Sequence, residues 1–360
     1  MARTRCLVAA GPARGGLVLA RARVTPTRGT PDDSRAPPGC YDGHVPTSEA
    51  HQLEVVGREV GTRLDRFLVR HLPGASRAAV RRLIDEGQVT VDDRPCRKGQ
   101  QLASGSLVVV TGYVAPGSWE PELEPDIEVD VLHEDDDMVI VDKPPGLPCH
   151  PLRPGERGTV AGVLLCRYPE LAGVGPDPRE AGLVHRLDTG TSGVLVFARR
   201  KEAYHDLVRQ LRRGTARKRY RALVEGDASA LERIDVPLAT AGQRVRAVPE
   251  GSRGRPGGGR PRPAETLVEP LERLGAFTFV SATIHAGRRH QIRAHLAWAG
   301  HPVARDRLYG AELAVELTRP FLHAIEVRLQ SPSRRTTIRA RAQLAPDLEE
   351  LLAELRAEGA

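Results

Sequence analysis

The chain of 360 residues is long enough for about two domains with a buried core. It carries a formal net charge of +7, and only four of its 53 basic residues are lysines. Because the planar fork of arginine suits phosphate, this composition favours RNA or DNA as a partner over a membrane surface, although a GC-rich coding sequence also enriches arginine.

The five cysteines lie far apart and form no C-x-x-C pair, so they indicate neither a disulfide framework nor a zinc knuckle. No run reaches the roughly 18 apolar residues that a membrane-spanning helix needs. We therefore expect a soluble, cytoplasmic protein that acts as a monomer, with no membrane partner.

Residues 1–50 lack hydrophobic periodicity, and they contain no acidic residue before Asp32. Their Gly, Pro, Arg and Thr content predicts a disordered basic tail. An arginine-rich start without acids also fits a mitochondrial transit peptide, but serine first appears at Ser34 and no apolar face emerges. A basic tail or an over-long start is therefore the preferred interpretation.

A small folded module is predicted over residues 51–112. A first helix is predicted from Arg63 onward, because apolar residues recur there at helical spacing. In "PGASRAAVRRLIDEG", Ser76 is placed to cap a second helix and Gly87 to end it. "QVTVDDRP" and "SLVVV" predict short strands around a turn. The residues expected to pack inward are Leu64, Phe67, Leu68, His71, Val80, Leu83 and Ile84.

Three arginines line the predicted outer face of the second helix. Arg77 and Arg81 are four residues apart and share one face, and Arg82 lies beside them. With Ser76 at the helix start, this basic rim is the predicted RNA contact of the module. A merely solvated helix face fits the same spacing.

Residues 113–126 contain Pro and Glu without an apolar pattern and predict a linker. A second domain follows over residues 127–345, and a C-terminal helix or tail over residues 346–360. The Gly/Pro/Arg-rich stretch 251–263 predicts a flexible insertion within this domain. Strands and helices are interspersed without the regular alternation of a doubly wound sheet, which favours the α+β class.

Within the second domain, "MVIVDKPPG", "GLVHRL", "GVLVFA" and "AFTFVSATI" predict strands. An amphipathic helix is predicted between Lys201 and Arg213, and another from about residue 289 to residue 299. "KRYRALV" alternates, so Lys218 and Tyr220 share one strand face.

In "HRLDTGTSG", residues 185–193, a single carboxylate lies between a basic pair and a turn-forming run. The turn residues predict a loop that holds Asp188 rigidly at the edge of a sheet. From local sequence alone, an Asx turn that satisfies backbone donors is the simpler interpretation of this residue.

Three histidines in "HAGRRHQIRAHLA" raise the question of a metal site. His285, His290 and His295 are five residues apart, and on a helix this spacing turns about 140° per step. Their side chains would not converge as metal ligands do, so the sequence predicts no metal.

Four stretches of the second domain resemble, in the same order, the RluA-type pseudouridine synthases: "VLHEDDDMVIVDKPPGLPCHP", "GLVHRLDTGTSGVLVFAR", "KRYRALVEG" and "AGRRHQIRAHLAWAGHP". The resemblance covers roughly residues 126–335, and the H-R-L-D-x-x-T-S-G string is its most specific part. The first module is similar to the S4 RNA-binding domain in "RLDRFL" and "SRAAVRRLIDEGQVTVDD", with "DDR" where an Asn-Gly turn is usual.

This resemblance implies a pseudouridine synthase fold, with a mixed, largely antiparallel sheet and a central cleft, behind a small S4-like α/β module. It implies an isomerase that converts uridine in RNA to pseudouridine, and no cofactor, because nothing redox is required. Asp188 is then the catalytic carboxylate, which either attacks C1′ or removes a ribose proton to give a glycal. Arg293 is implied as its partner cation, and Tyr220 as the residue that stacks on the uracil and assists removal of the C5 proton.

The resemblance also implies roles around the substrate. Arg186 would fill the gap left by the flipped nucleotide. Lys218, Arg288 and His290 are candidate substrate contacts to phosphate or loop atoms.

Two departures from the family add charge near the RNA path. Arg289 stands where the family usually has Thr, and "RDR" over residues 305–307 stands where Gly-Asp-Pro is usual. Neither departure is expected to touch the catalytic residues.

The S4-like module favours large-subunit ribosomal RNA over transfer RNA as the substrate. A noncatalytic RNA-binding or ribosome-assembly factor on the same fold is an alternative, against which the presence of Asp188, Tyr220 and Arg293 argues. An N-glycosidase that releases uracil is a second alternative, because it shares the first bond cleavage.

Overall fold

The computed structural model describes residues 50–115, 119–249, 251 and 259–358. Nearly all of the predicted basic tail and residues 252–258 of the predicted insertion lie outside these ranges. The chain divides between residues 118 and 119 into two compact units. Within the described ranges, no helix is both long and apolar enough to span a bilayer.

The first unit combines two helices with a four-stranded antiparallel sheet of order β1-β4-β2-β3. Its elements are β1 (His51–Glu54), α1 (Leu64–His71), α2 (Arg77–Asp85), β2 (Val89–Val91), β3 (Arg94–Pro95) and β4 (Leu107–Val110). The apolar faces of both helices are buried as predicted, except that His71 is only half-buried. Strand β1 was not predicted, because its four residues alternate between half-buried and exposed and carry no apolar run.

Local chemistry fixes the ends of these elements. Ser76 Oγ accepts from Ala79 N at 3.1 Å and caps α2, and Gly87 ends the helix with a φ of 72°, both as predicted. The β2–β3 hairpin turns through Asp92 and Asp93, whose φ angles are 51° and 62°. Positive φ at both central residues is the geometry of a type I′ turn, which Asn-Gly adopts with less strain.

The second unit contains a nine-stranded sheet and a two-stranded sheet. The path of the large sheet is β5-β6-β7-β14-β8-β13-β12-β9, with β15 paired to β14, and the small sheet is β10-β11. The strands are β5 (Asp130–Glu134), β6 (Met138–Lys143), β7 (Ser192–Ala198), β8 (Arg217–Glu225), β9 (Arg233–Asp235), β10 (Leu238–Ala241), β11 (Arg244–Ala247), β12 (Glu265–Leu274), β13 (Phe277–Ile284), β14 (Leu322–Gln330) and β15 (Thr337–Arg341). The helices are α3 (Val160–Arg167), α4 (Lys201–Arg213), α5 (Gln291–Trp298) and α6 (Pro346–Glu358). Short 3₁₀ helices lie at Gly57–Glu59 in the first unit and at Pro169–Leu171, Pro178–Glu180 and Arg307–Tyr309 in the second.

The large sheet is mixed and largely antiparallel, as the resemblance implied, because β7 and β14 pair in parallel and the other pairs of its described strands are antiparallel. Every residue of β7 is buried, since α3 covers one face of this part of the sheet and α4 the other. A strand that is buried on both faces reads as a continuous apolar run, which accounts for "GVLVFA". The bounds of α4 agree with the prediction.

The predicted linker is wrong for residues 119–126, because these residues belong to the second unit. Trp119 is buried, with Arg179 Cζ 5.6 Å from its ring centroid. Glu124 is also buried and accepts from Gly158 N at 2.6 Å. Trp119 and the hydrogen-bonded Glu124 thus hold residues 119–126 in the second unit, although their composition indicated a linker.

Three further expectations need adjustment. The end of the predicted flexible insertion is held in place, since Arg262 and Leu238 exchange two backbone hydrogen bonds of 2.9 Å. The predicted strand "GLVHRL" is a single bridge from Leu183 to Phe197. The C-terminal residues form α6, whose buried leucines join the main core.

We predict that Asp93→Gly raises the free energy of unfolding of the first unit by about 0.5–1 kcal/mol, because glycine adopts positive φ without a Cβ penalty. Chemical denaturation compared with the unchanged chain measures this. Asp92→Gly is the matched control: it relieves a similar φ but loses the bond from Leu107 N to Asp92 Oδ1, 2.8 Å long, so its gain should largely cancel. A lower stability of Asp93→Gly would contradict the prediction.

Candidate active site

Asp188 lies on a stiff loop that leads into β7. Thr191 N donates to the backbone oxygen of Asp188 at 2.9 Å, which closes the turn. The buried Lys143, at the end of β6, donates through Nζ to Thr189 O at 3.0 Å, and Gly146 N donates to the same oxygen at 2.9 Å. The loop is therefore fixed by main-chain contacts, and the Asp188 carboxylate points elsewhere than into an Asx turn.

The Asp188 carboxylate is bound by Arg293, as the resemblance implied. Arg293 Nη1 donates to Asp188 Oδ2 at 2.7 Å. The same guanidinium donates to Asp306, through Nε at 2.6 Å and through Nη2 at 2.8 Å. Burial disfavours the charge on Arg293, but Asp306 and then Asp188 outweigh this and raise its pKa above the ordinary value. Arg293 is thus a permanent cation shared by two carboxylates.

The stretch over residues 305–307, in which Arg305 and Arg307 are the departures from the family, contacts the site through its central residue. Asp306, at its centre, is almost fully buried and binds Arg293 in a bidentate pair. It is the one residue that this stretch shares with the usual Gly-Asp-Pro. Arg305 before it has a φ of 67°, in the left-handed region that suits the usual glycine.

His290 and Tyr309 extend the site. His290 Nε2 is 3.7 Å from Asp188 Oδ1, the oxygen that Arg293 leaves unbound. His290 Nδ1 is 3.0 Å from the Tyr309 hydroxyl, which also accepts from Val245 N at 2.9 Å. Burial lowers the pKa of His290, although the negative charge of Asp188 opposes the shift. The imidazole is therefore held beside the carboxylate chiefly in its neutral form.

Tyr220 lies on β8 and lines the same cleft as Asp188 and Arg293. Its side chain is buried on the strand face that it shares with Lys218, as the alternation predicted. Burial, and after it the charge of Asp188, raise the pKa of the Tyr220 phenol well above its usual value. At neutral pH the residue offers a flat ring and a neutral hydroxyl rather than a phenolate base.

Of the predicted substrate contacts, Arg186, Arg288 and His290 line the cleft, and Arg186 is exposed. Lys218 does not line it. Gly287 lies over this lysine, because a Cβ at that glycine would be 2.6 Å from Lys218 Nζ. Lys218 is therefore only 5% exposed, and the structure does not bring it to the cleft surface as a substrate contact.

The other departure from the family, Arg289, points toward the small sheet. Its guanidinium donates to the backbone oxygens of Gly242 and Gln243 at 3.4 and 2.7 Å. It therefore braces the β10–β11 turn beside the cleft.

The predicted RNA contacts of the first unit form the expected rim on α2. Arg77 and Arg81 are exposed and Arg82 is half-buried. Arg81 and Arg82 lie 3.5 and 3.8 Å from the carboxylates one turn later, and such exposed pairs hold arginine weakly. Ser76 is exposed, and its hydroxyl caps the helix.

The three histidines do not converge. His295 is buried in α5, with Nδ1 2.8 Å from Thr266 Oγ1 and Nε2 2.9 Å from Val236 O. His285 and His290 precede the helix. In the described part of the chain, no group of three His, Cys, Asp or Glu side chains is placed to hold a metal ion.

Sequence reasoning missed Asp306, Tyr309 and Lys143. Lys143 donates to three backbone oxygens, those of Pro144, Leu147 and Thr189, and so clamps the loop after β6 against the Asp188 loop. A lysine that ends an otherwise apolar strand, in "VIVDKPPG", was the available signal. Asp306 could have been found from the central residue of the usual Gly-Asp-Pro.

We predict that Lys218→Met raises the free energy of unfolding at pH 7 by about 1–3 kcal/mol. Burial lowers the Lys218 pKa to about 8, so below that pH the folded chain carries a costly buried cation. Between pH 8 and the ordinary lysine pKa of 10.5, the unfolded state binds the proton and the folded state does not, so the cost disappears as pH rises.

Chemical denaturation at pH 7 and pH 10 measures this difference, which should shrink at the higher pH. Lys201→Met, at an exposed lysine at the start of α4, is the control and should leave stability nearly unchanged at both. A Lys218→Met chain that is less stable at pH 7 would contradict the prediction.

Comparison with known proteins places this geometry in a family. The family model for RNA pseudouridylate synthase matches residues 137–298, and that for the S4 domain matches residues 62–108. An uncharacterized RNA pseudouridine synthase of Chloroflexus aurantiacus is 36% identical over 88% of this chain and 97% of its own length. The ribosomal large subunit pseudouridine synthase D of Nitrosomonas europaea is 33% identical over 91% of this chain and 92% of its own.

Among solved structures, the human RNA pseudouridylate synthase domain containing 4 superposes with a TM-score of 0.50 at 22% identity, over 63% of this chain and 93% of that one. This likeness concerns the fold alone and agrees with the mixed, largely antiparallel sheet. The resemblance drawn from the four stretches of the second domain and from the first module is confirmed. The chain belongs to the RNA pseudouridylate synthase family and carries an S4 domain ahead of its catalytic unit.

Proposed function

We propose that this isomerase converts uridines of large-subunit ribosomal RNA to pseudouridine, with Asp188 as the catalytic carboxylate. Relatives of nearly the same length are named ribosomal large subunit pseudouridine synthases C and D, which supports this RNA over transfer RNA. The observation that carries the proposal is the pairing of Asp188 in the cleft: Arg293 donates to Oδ2, while Oδ1 lies 3.7 Å from His290 Nε2, and all three residues line the cleft.

The reaction breaks the bond between N1 and C1′, turns the uracil, and joins C5 to C1′. As a nucleophile, Asp188 Oδ1 would bond to C1′ while the electrons of the N1 bond remain on the uracil. As a base, it would take the C2′ proton and give a glycal. Both routes need a carboxylate that is held in the cleft, and Arg293 Nη1 holds Asp188 there through a hydrogen bond of 2.7 Å.

The remaining cleft residues suit the uracil. Tyr220 offers its ring for stacking and its neutral hydroxyl as a relay when the proton leaves C5 and another reaches N1. His290 supplies a neutral imidazole beside Asp188 Oδ1, and the exposed Arg186 would occupy the gap left by the flipped nucleotide.

In this proposal the S4 unit supplies affinity rather than chemistry. Arg77, Arg81 and Arg82 on α2 would contact phosphates, which fix orientation without reading sequence. Such contacts direct the chain to large folded RNA, and ribosomal RNA in the cytoplasm is the substrate we propose.

The test is tritium release from RNA labelled at uracil C5, with ribosomal and transfer RNA compared. We expect release from large-subunit ribosomal RNA by the unchanged chain and none by Asp188→Asn, because the amide can neither attack C1′ nor accept a proton. Asp177→Asn is the matched control, since Asp177 forms a similar pair with Arg179 and does not line the cleft.

Each other outcome has its own reading. Release only from transfer RNA would overturn the choice of RNA, and binding without release from either would favour a noncatalytic factor. Free uracil in the product would indicate an N-glycosidase.

We predict that Asp306→Asn lowers kcat about 10–100-fold and changes KM much less. The substitution leaves Arg293 with a neutral partner, so the guanidinium loses the fixed plane that aims Nη1 at Asp188. Single-turnover assays with excess enzyme separate this loss from RNA binding. Asp177→Asn again serves as control, and a rise in KM at constant kcat would contradict a positioning role for Asp306.

A further inference from the structure

Six arginines cluster on the face of the large sheet that lies opposite the Tyr220 side. We call them the back-face arginines: Arg217, Arg219 and Arg221 on β8, Arg328 on β14, and Arg339 and Arg341 on β15. Lys218 and Tyr220 alternate with the three arginines of β8, and successive side chains of a strand point to opposite faces. The cluster is therefore separated from the catalytic cleft by the thickness of the sheet.

Pairing register brings these arginines together. Arg328 lies opposite Arg217 on one side and Arg339 on the other. In the next row, Glu326 lies opposite both Arg219 and Arg341. Directly opposed residues of antiparallel strands share a face, so the side chains form a patch across three strands.

Acidic residues neutralise only part of this patch. Glu326 accepts from Arg339 at 2.8 Å and from Arg341 at 2.5 Å. Arg217 and Arg328 are exposed and form no ion pair within the described residues. Charges of one sign at this spacing repel each other unless an anion lies among them.

Two buried donors of the patch also lack acceptors. Arg219 Nε and Arg221 Nη1 are shielded from solvent and have no hydrogen-bond partner among the described residues. Burial, and after it the charge of Arg219, lower the pKa of Arg221. The sheet thus holds the half-buried guanidinium groups of Arg219 and Arg221 in place, where they add positive charge beside the exposed Arg217 and Arg328.

We propose that the back-face arginines bind the phosphate backbone of RNA that extends beyond the target uridine. The proposal rests on the chain acting on RNA, because a substrate engaged in the cleft brings its own flanking phosphates. Exposed arginine forks on a sheet suit phosphate oxygens and read no bases, so this surface adds affinity for long RNA without sequence preference.

The test is the salt dependence of binding by Arg217→Gln/Arg328→Gln, with two RNAs. One is a long transcript of large-subunit ribosomal RNA, and the other is a short hairpin cut from it that retains the modified uridine. On the transcript we expect the slope of log K against log salt to fall in magnitude by about one to two, at roughly 0.7–0.9 per lost phosphate contact. On the hairpin we expect unchanged slope and turnover.

Arg212→Gln/Arg213→Gln is the matched control, because these residues of α4 are exposed and form no ion pair within the described residues. Helix α4 packs on Val327, whose register partner is Lys218, and so covers the opposite face of the sheet.

An equal fall in slope for both double variants would overturn the proposal, because it would show that any loss of positive charge has this effect. An unchanged slope for Arg217→Gln/Arg328→Gln would also overturn the proposal and would favour an acidic protein as the partner of the back-face arginines. Failure of the unchanged chain to modify the hairpin would instead count against the proposed function.

Discussion

The catalytic unit depends on one guanidinium that serves two carboxylates. Arg293 donates through Nε and Nη2 to Asp306 and through Nη1 to Asp188, so the plane of its guanidinium is fixed before substrate binds. A lysine in this position would supply the charge but not the plane. Since the Asp306 carboxylate is almost fully buried and the Asp188 carboxylate is partly exposed, Arg293 fixes the position of Asp188 relative to the core.

The fold assembles this pair from distant parts of the chain. Asp188 comes from the loop before β7, Arg293 from α5, and Asp306 from the turn after it. Lys143 ties the end of β6 to the Asp188 loop, while Ile292 packs α5 into the core beside Tyr220. The elements that carry Asp188 and Arg293 are thus held in place by contacts with the rest of the unit, and the two side chains meet at the cleft.

Sequence predicted the elements whose signals are local. Three such signals are the amphipathic spacing of α4, the apolar run of β7 and the cap at Ser76. Each could be recognised from sequence because the residues that form it are neighbours in the chain. The Asp188–Arg293 pair was accessible only through resemblance to a family, since nothing in either stretch refers to the other.

The features that sequence analysis missed depend on tertiary contacts. Asp306 looked like part of a divergent turn. Lys218 looked like a substrate contact, because its sequence neighbours do not show that Gly287 lies over it. The stretch that begins at Trp119 had the composition of a linker, yet one aromatic ring and one carboxylate hold it against the second unit. In each of these places the deciding partner is remote in sequence, and no pattern of neighbours records it.

The parallel pairing of β7 and β14 has a consequence for how the chain is made. Ser192 and His323 are hydrogen-bonded at 2.9 Å although they are 131 residues apart, and Arg319 donates to the backbone oxygen of Gly190 in the Asp188 loop. Contacts of such separation form late, because the long loop must close before they contribute. The S4 unit, by contrast, forms from a short continuous segment that ends by residue 118. A chain emerging from the ribosome therefore completes its S4 unit well before its active site, and catalysis waits for nearly the last strand to be synthesised.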